Sequence, residues 1–343
     1  MNAPETTGFR PAWWCRNAHL QTIWPTLLRR RPRVETRPER VLLPDGDFLD
    51  LAWTAETGPD APIVVVLHGL EGSLESKYAA GMLAALHRAR LTAVLMHFRG
   101  CSGEPNRARR NYHSGETTDL DWFVSELQRR HPQRALAVVG FSLGGNVLLK
   151  WLGERGATTP VAAAVAVSVP FDLGRCADRL EHGFSRLYQA RLLISLRANL
   201  RRKFAGRGDS PVPMSAVASL RSFREFDDAV TAPLHGFASA ADYYAKSSCR
   251  GFLRHVQRPT LIVHSADDPF VYPDVMPTAA GLTPWIEFDR TTHGGHVGFV
   301  SGRSPFSPRY WLESRVPQWL AAQFARETVS SAAEPSGQQF ARA

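Results

Sequence analysis

Apolar residues fall into two rhythms along this chain. Short unbroken runs, "PIVVVLHG", "LTAVLMHFRG", "ALAVVG", "VAAAVAVSVP" and "PTLIVHSADDPFV", are rich in Val, Leu and Ala and show no polar face. Runs of this kind predict strands buried on both sides of a sheet. Between them, "ESKYAAGMLAALHRAR", "ETTDLDWFVSELQRRH" and "LGGNVLLKWLGERG" carry apolar residues at helical spacing. The second of these opens on Thr and acids and closes on bases, the polarity that a helix dipole favours. Two further apolar stretches flank Pro44-Asp45-Gly46-Asp47, a hairpin signal. Strands alternating with helices predict a mostly parallel sheet of about eight strands, flanked by helices.

The alternation stops after "VAAAVAVSVP". "RLEHGFSRLYQARLLISLRANLRRKF" reads as helix, and "RSFREFDDAVTAPLHGFASAADYYAKSS" as helix and loop. So long an interruption predicts a helical cap over residues 173–249, inserted into an α/β core formed by 41–172 and 250–328. Residues 1–40, rich in Pro, Trp and Arg, predict an N-terminal arm that wraps the core through Trp13, Trp14 and Trp24. A last strand in "WIEFDRTTHGGHVGFVS" and a helix around "YWLESRVPQWLAAQFAR" precede a polar tail, 329–343, expected to fray.

Composition leaves this picture standing. The chain has 343 residues, 44% hydrophobic and 21% charged, enough apolar material for one large core. Its net charge of +9 is uneven: Arg10 to Arg40 holds eight Arg and two acids. A second basic stretch runs from Arg175 to Arg207. Such clusters attract phosphate-bearing partners, yet no nucleic-acid recognition motif accompanies them, so nucleic acid is not expected. The main reading is a solvated surface. Weak peripheral contact between a basic cap and anionic lipid is the alternative, with Leu193, Leu196 and Leu200 either packed on the core or facing lipid. Cys15, Cys101, Cys176 and Cys249 form no C-x-x-C pair, which argues against a zinc ribbon or disulfide scaffold and fits a reducing compartment. No apolar run reaches membrane-span length and the N-terminus lacks a signal-peptide pattern, so a cytoplasmic protein is expected.

Candidate chemistry centres on "LAVVGFSLGGNVLLK". Gly140-Phe141-Ser142-Leu143-Gly144 matches G-x-S-x-G between a predicted strand and a predicted helix, the setting of a nucleophile elbow. A phosphate loop is excluded, because Asn146-Val147 stand where Lys and Ser/Thr are required. A serine needs a base. His296 in "HGGHVGF" is the candidate, with His293 as the alternative. The acid that orients the base should follow the preceding buried strand, where Asp268 is chosen over Asp267. The backbone N–H groups of Leu143 and of Leu70, in "VVVLHGLEGS", are the candidate oxyanion donors. His68 precedes the serine and is expected to brace that loop. This set calls for no metal and no organic cofactor.

Together "RNAHLQTIWPTL", "HGLEGSLESKY", "FRGCSG", "GFSLGGNVLLKWLGE", "FDDAVTAPLHGF", "DYYAKSS", "DDPFV" and "HGGHVGFV" run through nearly the whole domain. With them the sequence resembles the α/β-hydrolase superfamily and, within it, the YheT-like branch (AB hydrolase 4 family) of esterases and lipases. The resemblance implies an α/β-hydrolase fold with a cap and a Ser-Asp-His triad, matching Ser142, Asp268 and His296. The function expected is serine hydrolysis of a small-molecule or lipid carboxylic ester. An acyltransferase or thioesterase with the same triad, or a non-catalytic binding protein on this scaffold, are the other readings.

Overall fold

The structure, a computed structural model, describes residues 8–333. Eight strands form one sheet in the order β1-β2-β4-β3-β5-β6-β7-β8. The hairpin comes first, β1 (Arg37–Leu42) and β2 (Phe48–Trp53), paired antiparallel across Pro44-Asp45-Gly46-Asp47. β3 (Ile63–Leu67), β4 (Thr92–Met96), β5 (Leu136–Phe141), β6 (Ala163–Val167), β7 (Thr260–Ser265) and β8 (Ile286–Thr291) are parallel, and β2 joins β4 antiparallel. Every residue of β3 to β7 is buried, which is why these segments read as unbroken apolar runs. One apolar layer joins Val65, Val138 and Val147 on one face of the sheet; another joins Val64, Val139 and Leu83 on the other.

Helices α2 (Lys77–Arg88), α3 (Thr118–Arg130) and α4 (Leu143–Arg155) are the crossovers between parallel strands, and α10 (Leu312–Ala333) packs against α2. The chain builds β3, then β4 to one side and β5 to the other. The order therefore reverses at β3, and the carboxyl ends of β3 and β5 diverge into a crevice. His68-Gly69-Leu70 follows β3 and Ser142 follows β5.

Between β6 and β7 lie α5 (Leu173–Leu180), α6 (Ser185–Phe204), α7 (Phe223–Phe226), α8 (Ala232–His235) and α9 (Ala240–Ser247), with no strand among the described residues. They have their own apolar cluster, including Leu180, Leu193, Phe204 and Phe226. The stretch expected as one helix is broken at Gly183, whose φ is +57°, so α5 and α6 are separate. Leu193 and Leu200 are buried and Leu196 packs against the same cluster, while Arg191, Arg201 and Arg202 are exposed. Lys203 is not part of a solvated cluster. It is buried, donates to the carbonyls of Ala108 and Arg110, and burial lowers its pKa to about 8.

The N-terminal arm differs from expectation in three ways. It contains a helix, α1 (Ala18–Leu27), started by the Asn17 side chain, which accepts from the N–H groups of His19 and Leu20. Its boundary at residue 40 falls inside β1. Trp14 and Trp24 meet at 4.6 Å, whereas Trp13 is 73% exposed. The basic run is partly neutralised: Arg29 pairs with Glu313 and Arg31 with Glu75. A short ribbon, β9 (Val300–Ser301) with β10 (Arg309–Tyr310), was not predicted. The expected tail begins inside α10, which runs on to Ala333; its remainder lies outside the described residues.

Candidate active site

Ser142 lies on the turn between β5 and α4 with φ 52° and ψ −117°. Only a crowded turn imposes such a backbone on serine. A Cβ on Gly140 would lie 2.4 Å from the Gly144 carbonyl oxygen, and one on Gly144 would lie 2.6 Å from that of His68. Glycine is required at both positions by close approach, and the turn lifts Ser142 out of the sheet.

His296 Nε2 lies 2.9 Å from Ser142 Oγ, and His296 Nδ1 lies 2.8 Å from Asp268 Oδ2. The Asp268 side chain is fully buried, and its other oxygen accepts the Phe270 N–H at 2.8 Å. A carboxylate at Nδ1 keeps the proton there and leaves Nε2 as acceptor for the serine hydroxyl. The alternatives are turned elsewhere. His293 Nδ1 lies 3.2 Å from Asp267 Oδ2, and Asp267 Oδ1 accepts the Gly295 N–H. That pair ties the histidine loop to the turn after β7.

On the other side of Ser142 is the segment after β3. A Cβ on Gly69 would sit 3.2 Å from the Ser142 Cβ. The Gly69 N–H donates to Tyr78 Oη at 2.7 Å, and the Glu71 N–H donates to Tyr112 Oη at 2.9 Å. Among the described residues no acceptor is found for the Leu70 N–H between them. Leu143 opens α4, so its N–H has no carbonyl one turn earlier in the helix. His68 spans the loop: its Nδ1 pairs with the Gly69 carbonyl and its Nε2 accepts the Phe98 N–H. Burial lowers the His68 pKa to about 3, so the ring is neutral and structural.

Several contacts of the site escape a reading of the sequence. Thr22 Oγ1 on α1 accepts the His296 N–H at 2.9 Å. The Phe270 ring stacks on the His296 ring, with centroids 4.0 Å apart. Ser168 Oγ, at the end of β6, accepts the Val297 N–H. Thr22 and Phe270 both lie in stretches singled out above, "RNAHLQTIWPTL" and "DDPFV", but nothing local says that they meet the histidine.

A cavity of about 620 Å³ opens onto Ser142 and His296. The inserted helices wall it with Leu180, Leu192, Leu196, Phe223 and Phe226, and α1 adds Thr22 and Leu27. The cysteines are free; burial raises the pKa of Cys101 well above its usual value, so it is no thiolate nucleophile.

The arrangement has relatives. The family model described as alpha/beta hydrolase fold matches residues 62–302. A protein of Escherichia coli (strain K12) named "Putative esterase YheT" is 48% identical over 319 residues, covering 92% of this chain and 94% of that one. Mouse "Phospholipase ABHD3" is 29% identical over 308 residues, covering 88% and 75% of the two chains. Among solved structures, the Pyrococcus furiosus esterase Pf2001 superposes with a TM-score of 0.57 at 17% identity, covering 85% and 91%. That last likeness speaks to the fold. Among the described residues no helix is long and apolar enough to cross a membrane. With a β3–β5 crevice in a mostly parallel sheet and a near full-length likeness to the bacterial protein, this chain belongs to the α/β-hydrolase family, in its YheT-like branch.

Proposed function

We propose that this protein is a serine hydrolase of carboxylic esters that works through an acyl-enzyme on Ser142. The observation that carries the reading is the unbroken hydrogen-bond chain Ser142–His296–Asp268 at the mouth of an apolar cavity. His296 Nε2 takes the hydroxyl proton as Oγ attacks the ester carbonyl. The new alkoxide is held by the N–H groups of Leu70 and Leu143, and Asp268 stabilises the imidazolium. The imidazolium then protonates the departing alcohol, leaving the acyl group on Oγ. Water, deprotonated by the same nitrogen, repeats the sequence and releases the acid. The mostly apolar walls favour an acyl chain over a charged substituent, which would give up its water on entering.

The test is labelling by a fluorophosphonate probe, run beside hydrolysis of p-nitrophenyl esters. Wild type should label and turn over, and Ser142→Ala should do neither. Equal labelling of both proteins, or a wild type silent in both assays, contradicts the reading.

A further inference from the structure

Large apolar side chains left in water are scattered on most proteins. Here they gather. Leu20 and Leu27 on α1 and Leu28 just after it, with Phe184, Leu187 and Ile194 at the start and on the outer side of α6, are all between 46% and 66% exposed. The two helices touch where the His19 ring meets Phe184 at 4.4 Å and His19 Nδ1 meets Tyr188 Oη at 3.1 Å. Phe184, Leu187, Arg191 and Ile194 follow the spacing of one helical face. Leu27, Phe184 and Leu187 also line the cavity above Ser142, so these residues are its lips. Arg30, Arg186 and Arg191 are exposed and form no ion pair among the described residues.

We propose that these lips seat on an anionic lipid surface. A contiguous apolar patch in water marks an interaction site. The partner is identified by two properties of the patch: Leu27, Phe184 and Leu187 belong both to it and to the cavity lining, and guanidinium groups without an ion pair among the described residues border it. A lipid layer with anionic head groups matches both, and an acyl chain passes from layer to cavity without crossing water. The docking face is thus the outer side of α6 together with α1, not the Leu193-Leu196-Leu200 side, which is turned inward. The inference rests on the ester reading for its purpose, but its test reads binding alone.

The test is co-sedimentation with phosphatidylcholine vesicles, with and without phosphatidylglycerol, for wild type and the double variant Leu28→Glu/Ile194→Glu. Neither residue lines the cavity, so turnover of a short soluble ester and the thermal midpoint should hold. Wild type should bind the mixed vesicles and keep part of that binding at high salt, and the variant should bind at least about tenfold more weakly. No binding by wild type, or equal binding by the variant, overturns the proposal. So does a dimer, seen by analytical ultracentrifugation, that the same substitutions break while wild type ignores vesicles.

A separate observation concerns Glu71, next to the Leu70 N–H. Its φ is +56°, and both carboxylate oxygens are held: Oε1 accepts from Tyr112 Oη at 2.8 Å and Oε2 accepts from Asn199 Nδ2 on α6. Glu71 and Asn199 line the main cavity and also a second one of about 620 Å³, so the pair is a partition that ties the inserted helices to the oxyanion loop. The geometry points to Glu71 as a positioning residue that holds the Leu70 N–H in place through this tie. Glu71→Ala should lower kcat at least about tenfold with KM little changed. Glu71→Gln should recover most of that loss, because Gln still accepts from Tyr112 and the Asn199 amide turns to meet it. Asn199→Ala should speed hydrogen exchange at residues 70–74. Equal loss in the two Glu71 variants, or unchanged exchange, overturns this role. Exchange is read without substrate and so is independent of the ester reading.

Discussion

Ser142 holds a backbone conformation that glycine adopts freely and serine only under strain, on a turn packed closely against the segment after β3. Such strain is worth about 1–3 kcal/mol and persists only where the surroundings enforce it. Comparing two variants that both lack the hydroxyl isolates it. Ser142→Gly should be more stable than Ser142→Ala by about 1 kcal/mol in denaturant unfolding, and neither should turn over an ester. Equal stability would mean that the elbow is unstrained. Asp268 shows why the site needs burial as well as order. Its two oxygens are both spoken for, one by His296 and one by a backbone N–H, so the carboxylate is fixed against the ring. Asp268→Asn should lower kcat by about 10⁴-fold, through the wrong imidazole tautomer, while leaving the fold intact.

At the scale of elements, α1 is the part whose contribution is easiest to overlook. It docks on the histidine loop through glycines: a Cβ on Gly298 would lie 2.1 Å from the Gln21 carbonyl oxygen, and one on Gly295 2.5 Å from that of Ala18. That approach lets Thr22 receive the His296 N–H. Thr22→Ala leaves that donor without its partner, which costs about 1–3 kcal/mol, and kcat/KM should fall about tenfold or more with the secondary structure unchanged. These facts also mark what the sequence makes legible. The strands β3 to β7 are readable because they are buried on both faces and short. The order of Ser142, Asp268 and His296 at strand ends is readable because each lies beside a turn signal. The helix at Ala18–Leu27 is not, because its buried positions are Gln21, Thr22 and Pro25, while Leu20 and Leu27 are exposed, the reverse of an apolar inner face. The break at Gly183 is hidden for a related reason, since apolar spacing continues on both sides of it. Contacts such as Phe270 on His296 arise only from the fold, and no local pattern encodes them.

On the scale of the whole molecule, burial of neutral histidines links stability to pH. His68 and His264 are fully buried, and burial lowers their pKa values to about 3 and about 4. An unfolded histidine takes up its proton near pH ~6.5. Between that pH and about 4 the unfolded chain therefore binds more protons than the folded one, so stability is lost as pH falls through this window. Both ring nitrogens of His264 lack a hydrogen-bond partner, and its neighbour Phe171 lies 5.3 Å away between ring centroids. His264→Phe should thus hold its thermal midpoint at pH 7 and lose less of it on acidification to pH ~5 than wild type does. An identical slope in the two proteins would mean that His264 does not contribute to the acid sensitivity.

The proposed reaction depends on acyl transfer to one hydroxyl. Mass spectrometry of the acid-quenched protein during turnover of a p-nitrophenyl ester reads this directly. A mass gain of one acyl group is expected, located on the peptide that contains Ser142 and missing from Ser142→Ala, which should also no longer turn over. Undiminished turnover by Ser142→Ala, or an acyl group located on another residue, would contradict it.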